Sequence, residues 1–179
     1  MVQISRILFA AYLVAAGFAT PVKRTVAQIE ACIANVNTDL TTMGNAINGF
    51  PASGLGGALA IHTAAGNLGT ALSAGTSALV STGSLSEADG QVIVGSISAM
   101  QSPILNLLNQ LGKKKAGFAA LPVGGIPAEV LADLQALKTK TTAFSAALIA
   151  NSPAGQVSIA TSIETTIIAG FNTAIAEYE

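Results

Sequence analysis

The sequence predicts an all-α fold, an antiparallel bundle of about five long helices with the third bent near Pro103. Three observations predict it. Apolar residues recur at steps of three and four through five long segments; Gly, Pro and Asn clusters separate those segments by short intervals; and no stretch alternates apolar and polar residues for long enough to form a strand.

The first segment sets Val26, Ile29, Ile33, Val36, Leu40, Met43 and Ile47 on one face and is stopped by Gly49, Phe50 and Pro51. Cys32, the lone cysteine, falls one place before Ile33 and is expected to be buried as a small hydrophobe, with no intrachain disulfide available. The second segment places Leu55, Leu59, His62, Ala65, Leu68, Leu72 and Leu79 on a stripe. Its many glycines, each costing up to about 1 kcal/mol in a helix interior, predict irregular ends around a helix from about Leu59 to Val80. Ser84 and Glu87 have the three-residue spacing of a capping box and open the third helix. Ile93, Ile97, Met100, Ile104, Leu107 and Leu111 follow, with Pro103 removing one backbone donor and bending the helix. Lys113, Lys114 and Lys115 read as cations in its last turn, offsetting the helix dipole. The stretch AGFAALPVGGIP predicts a loop.

The fourth helix begins at Pro127 and Glu129 and runs through Val130, Leu134, Leu137, Thr141, Phe144 and Leu148 to the break at Asn151-Ser152-Pro153. The fifth carries Val157, Ala160, Ile163, Ile167, Phe171, Ala174 or Ile175, and Tyr178.

Ahead of these helices, residues 1–19 have one basic residue, Arg6, an apolar run from Ile7 and small residues at the end, the pattern of a secretory signal peptide. The run is too short to span a hydrocarbon core of about 30 Å. Residues 20–24 read as a short pro-segment ending in Lys23 and Arg24, a pair similar to a dibasic processing site; the alternative is a solvated charge pair before a helix. The domain then spans residues 25–179 as one helical bundle, which is expected to be secreted and either extracellular or loosely associated with a cell wall. The polar C-terminal FNTAIAEYE lacks the apolar tail of a lipid-anchor signal, and no Asn-x-Ser/Thr acceptor is present.

Composition excludes several functions. Five lysines face nine carboxylates after residue 24, a net charge of −4 with no basic face, so nucleic acid is a poor partner. Charged residues are 9% of the chain and aromatics 4%, which predicts a surface built largely from Ser, Thr, Asn, Gln and Ala. Catalysis needs convergent groups, yet the chain has one histidine, His62, and neither a Gly-x-Ser-x-Gly elbow nor a His pair at metal-binding spacing. Glu87, Asp89 and Glu129 are placed to complement helix dipoles. A non-enzyme without metal or cofactor is expected.

The stripes consist of Ala, Val, Ile and Leu with few large rings. Helices packed through small residues either approach closely or leave a long apolar gap able to take an acyl chain. Lining candidates from the stripes are Ile97, Ile104, Leu134, Phe144, Leu148, Ile163, Ile167 and Phe171. The same amphipathic helices can instead lie on an apolar surface.

The pieces NAINGF, IHTAAGNLGTAL, LNQLGKKKAGF, LKTKTTAFSAALIANSP and AGFNTAIAEYE, in that order, resemble the hydrophobic surface binding protein A family, the fungal group that includes antigenic cell wall galactomannoproteins. The resemblance implies a secreted helical domain that adsorbs to hydrophobic surfaces, helps bring a secreted polyester hydrolase to its substrate, and in some relatives holds fatty acids in a central cavity. A structural cell wall protein or wall-associated antigen without a specific ligand is the alternative.

Overall fold

The computed structural model describes residues 26–179, so the leader, the pro-segment and the Lys23-Arg24 junction lie outside the described residues. Five long helices, α1 (Val26–Gly49), α2 (Gly54–Thr82), α3 (Glu87–Gly112), α5 (Ile126–Asn151) and α6 (Ala154–Ala176), are joined by short turns, with a one-turn helix α4 (Lys115–Ala119) after α3. In α1 the predicted face is the observed one: Ile29, Ile33, Val36, Leu40, Met43 and Ile47 are all buried. α5 and α6 likewise bury Val130, Leu134, Leu137, Thr141, Phe144 and Leu148, and Ala160, Ile163, Ile167, Phe171, Ala174 and Ile175. α3 continues through Pro103, whose missing N–H leaves the Ala99 carbonyl without its helical donor and bends the helix there. By length and composition α3 is also apolar enough to cross a membrane; here it packs against α6 and α1.

Successive long helices run antiparallel, and their packing closes a ring in the order α1, α2, α5, α6, α3 and back to α1. An odd number of elements in a ring cannot alternate throughout, so some neighbours run parallel. Three pairs do: α1 with α3, which are both antiparallel to α2, and two more that register contacts identify. Positions 62, 69 and 75 of α2 meet 133, 140 and 144 of α5, both numbers rising together. Positions 90 and 112 of α3 likewise meet 153 and 177 at the two ends of α6. Close approach depends on absent side chains: a Cβ on Gly75 would lie 2.7 Å from the Phe144 ring, and one on Gly90 would lie 2.5 Å from Pro153.

Each end of the ring is closed. At one end Phe50 stacks on Phe118 with centroids 4.2 Å apart, Tyr178 leans on Phe118 at 6.5 Å, and the Tyr178 hydroxyl donates to the Leu111 carbonyl at 2.7 Å. The Lys114 ammonium donates to the Phe50 carbonyl. At the other end the buried Leu85 ties the α2–α3 turn to the α5–α6 turn through its N–H, which donates to the Asn151 carbonyl at 2.8 Å.

Several local expectations are corrected. α2 is helical from Gly54 to Thr82, with no irregular ends, because packing against α1 and α5 outweighs glycine propensity. Its stripe is misplaced in the first half: Leu55 and Leu59 are 45% and 63% exposed and His62 is exposed too, and the buried face is Ala58, Ile61 and Ala64, joining the expected Ala65, Leu68, Leu72 and Leu79. The helix cap is Ser86, not Ser84; its hydroxyl accepts from the Asp89 N–H at 3.1 Å and lies 2.6 Å from the Asp89 carboxylate. Burial of Leu85 holds the turn and delays the helix to Glu87. The three lysines do not sit in the last turn of α3; Lys113 caps it and Lys115 opens α4, whose Phe118 is drawn into the core from what the sequence reads as loop. Cys32 is only half-buried, at the edge of the core.

Candidate functional site

The interior faces of all five long helices meet on one elongated cavity. α1 contributes Val36, Leu40 and Met43, and α2 contributes Leu68 and Leu72. α3 contributes Ile97, Met100, Ile104, Leu107 and Leu108; α5 contributes Leu134, Leu137, Thr141, Phe144, Ser145 and Leu148; α6 contributes Ala160, Ile163, Ile167 and Phe171. The eight residues picked from the stripes, Ile97, Ile104, Leu134, Phe144, Leu148, Ile163, Ile167 and Phe171, are therefore brought together on one wall system. Sequence reasoning left out the α1 and α2 contributions, although the α1 stripe with Met43 was legible, and it left out the two hydroxyl residues, Thr141 and Ser145.

The cavity has about 60 Å³ open to the centre of a water-sized sphere. That is several times the ~10–15 Å³ a single water needs, and it is narrow for anything longer than a few carbons. Widening falls to the wall. Met43 and Met100 face it with unbranched, adaptable side chains, and the other members are mostly Leu and Ile. Ile104 is the one lining residue that is half-buried, which puts an edge of the cavity beside Pro103 on α3. No lining residue is charged.

A second, shallower groove lies on the outside between α2 and α5, lined by Leu55, Leu59, His62, Ile126, Glu129, Val130 and Asp133 among others. Here the His62 Nδ1 lies 2.8 Å from the Asp133 Oδ2. The Asp133 carboxylate, as hydrogen-bond partner and charge, raises the affinity of His62 for a proton above its ordinary value, although the imidazole is 57% exposed. Burial pushes the Asp133 carboxyl up as well, outweighing the pull of His62 in the opposite direction. A histidine beside a carboxylate is two parts of a catalytic relay, but no Ser, Thr or Cys lines this groove to serve as nucleophile. Among the described residues no group of three or more His, Cys, Asp or Glu is placed to hold a metal ion. The Tyr178 phenol is pushed well above its ordinary range by burial and stays a neutral hydrogen-bond donor.

Solved structures share this architecture. The crystal structure of Afmp4p in complex with palmitic acid is 28% identical, with a TM-score of 0.81, covering 87% of this chain and 100% of that one. Ligand binding domain 1 of Penicillium marneffei MP1 protein, complexed with arachidonic acids, is 18% identical with a TM-score of 0.78, covering 87% of this chain and 99% of that domain. Domain 2 of the same protein, complexed with multiple arachidonic acids, gives 19% identity and a TM-score of 0.76 over 88% and 97% of the two chains. At those identities the two MP1 domains establish a shared fold. No curated protein matches the sequence significantly. A model of hydrophobic surface binding protein A matches residues 26–150. With its helical ring, its uncharged interior and that match, the chain belongs to the hydrophobic surface binding protein A family.

Proposed function

We propose that this protein binds one long-chain lipid, a fatty acid or similar amphiphile, with its aliphatic tail along the central cavity. The observation that carries the reading is the cavity itself: an apolar slot shared by five helices, without one charged lining residue. The 28% identical Afmp4p, whose structure holds palmitic acid, supports it. At about 0.8 kcal/mol per buried CH₂, a long tail offers on the order of 10 kcal/mol before association and ordering costs, enough for micromolar binding. The eight stripe residues act in this reading as tail contacts, with Ile104 at the entrance. Native mass spectrometry of the secreted protein with added palmitic acid tests it. A one-to-one complex is expected; a protein that stays free of any long-chain acid under those conditions contradicts the reading.

Adsorption to hydrophobic surfaces is a second use, favoured by exposed apolar side chains at both ends of the bundle: Leu55, Leu59 and Val123 at one, Val80, Val92 and Ile159 at the other. In this role the protein coats wax or polyester and recruits a secreted polyester hydrolase. Adsorption to polyester particles should persist or strengthen in sulfate salts, since excluded salts favour apolar burial. Loss of adsorption at high sulfate would sink it. The working form in either role is residues 25–179, cut after Lys23-Arg24, and an N-terminal sequence of the secreted protein beginning at Thr20 would refute that cut.

A further inference from the structure

A further groove runs along the outside of the bundle between α3 and α6, and the tail-binding reading leaves it without a use. About 290 Å³ of it is open to the centre of a water-sized sphere, against about 60 Å³ in the central slot. Because the two helices run parallel, the groove is polarised along its length. Leu105, Leu108 and Gly170 line its apolar end, and Asn109, Lys113 and Glu177 line its polar end. Leu108 belongs to both spaces, facing the groove on one side and the slot on the other. Across from it α6 has no side chain: a Cβ on Gly170 would lie 2.6 Å from a Leu105 methyl and 3.3 Å from a Leu108 methyl. Leu108 is thus a partition that a change of rotamer can open without moving the backbone.

The charges at the polar end define what fits there. Lys113 caps α3, where a cation offsets the helix dipole and needs no ligand to explain it. Glu177 is the opposite case. It caps α6 at its C-terminus, where the dipole disfavours an acid, and no cation is paired with its carboxylate among the described residues. Its stem crosses Gly112, where a Cβ would lie 3.2 Å from the Glu177 Cγ, and this sets it beside the position of Lys113. Lys113 has no ion-pair partner there either, while Lys114 is committed to the Phe50 carbonyl. A headgroup with only a carboxylate would meet Glu177 as well as Lys113, and one with only an ammonium would meet the reverse conflict. A headgroup carrying both charges meets neither.

We propose that the α3–α6 groove seats the zwitterionic headgroup of a single-chain amphiphile, its anionic part against Lys113 and its cationic part against Glu177, with the tail passing Leu108 into the slot. The proposal rests on the reading of the slot as a tail site. It adds a headgroup site outside the ring and a preference for heads that carry both charges.

The test measures dodecylphosphocholine against dodecan-1-ol on the full secreted chain, both below micelle-forming concentrations, so that the alcohol cancels any change in the slot itself. The phosphocholine-to-alcohol affinity ratio should fall about fivefold in Lys113→Glu and in Glu177→Lys, the scale of exposed charge pairs. It should return toward the unmodified value in the swap Lys113→Glu/Glu177→Lys, and it should not move in Lys138→Glu, which makes the same charge change on α5. Leu108→Ala, which removes the partition, should raise the association rate of dodecylphosphocholine several-fold. Unchanged ratios in the folded single variants, an equal fall in Lys138→Glu, or an unchanged rate in a folded Leu108→Ala overturns the groove as headgroup site, while bound dodecan-1-ol leaves the slot standing. Failure of both compounds to bind the unmodified protein overturns both readings.

Discussion

Individual side chains carry their roles through what they touch. Leu148 and Phe171 are buried against the cavity from α5 and α6, and an aspartate at either place would set an unpaired charge in an apolar slot. Leu148→Asp or Phe171→Asp should abolish uptake of a long-chain acid in a binding titration, while Leu148→Ala, which enlarges the slot, should retain it at a stability cost of about 2–5 kcal/mol. Tyr178 reports on the closed end of the ring. Tyr178→Phe removes one buried donor, and the Leu111 carbonyl keeps the Lys114 N–H at 3.0 Å, so denaturant unfolding should show a loss of only about 0.5–1.5 kcal/mol. His62 and Asp133 add a pH dependence with a definite sign. Both groups bind protons more tightly folded than unfolded, so each contributes stability below its unfolded pKa that is lost as pH rises through the folded one. Stability should therefore decline modestly from the mildly acidic range toward pH 8. The His62 part should vanish in His62→Gln and should be no more than ~1 kcal/mol, because the imidazole is exposed. At this scale the sequence placed most stripe residues well, but it set the exposed His62 on the apolar stripe of α2, and nothing in it paired His62 with Asp133, 71 positions away.

Among the elements, α1, α5 and α6 were legible because large apolar residues fall on one face and polar ones on the other. α2 was legible as a helix, but its orientation only in its second half. In the first half Gly57, Ala58, Ala64 and Ala65 face inward with Ile61 to admit α1 and α5, while Leu55 and Leu59 face out, so two of the bulkiest residues there mark the wrong side. α4 was read as loop since its five residues, KAGFA, are too few for periodicity, and Phe118 folds inward only because Phe50 is there to stack on it. Helix starts are decided by similar local competition. Ser86 caps α3 through the Asp89 N–H, so Ser86→Ala should destabilise the fold by about 1 kcal/mol in a thermal or denaturant melt, whereas Ser84→Ala should be near neutral.

Across the whole molecule, lipid binding couples to stability, because the ring that forms the cavity exists only in the folded state. A ligand present at about 100 times its Kd should add about 2.7 kcal/mol. For a domain of this size that raises the melting temperature by about 5–10 °C in calorimetry. A melt unmoved by ligand at saturating concentration would mean that binding is superficial. The narrowness of the slot also requires the wall to shift on binding, with the Met43 and Met100 side chains as the adaptable members.

The sequence by itself determined the helical class, the number of long helices, most of their buried faces and the uncharged interior, because periodicity and composition are local properties that each segment carries alone. Tertiary structure alone decided the ring order, the parallel pairing of α2 with α5 and α3 with α6, the aromatic closure at one end, and the convergence of Thr141 and Ser145 on the same slot as Phe171. Those features depend on how closely backbones approach at positions such as Gly75 and Gly90, and a small residue declares its freedom to approach without declaring what it will meet.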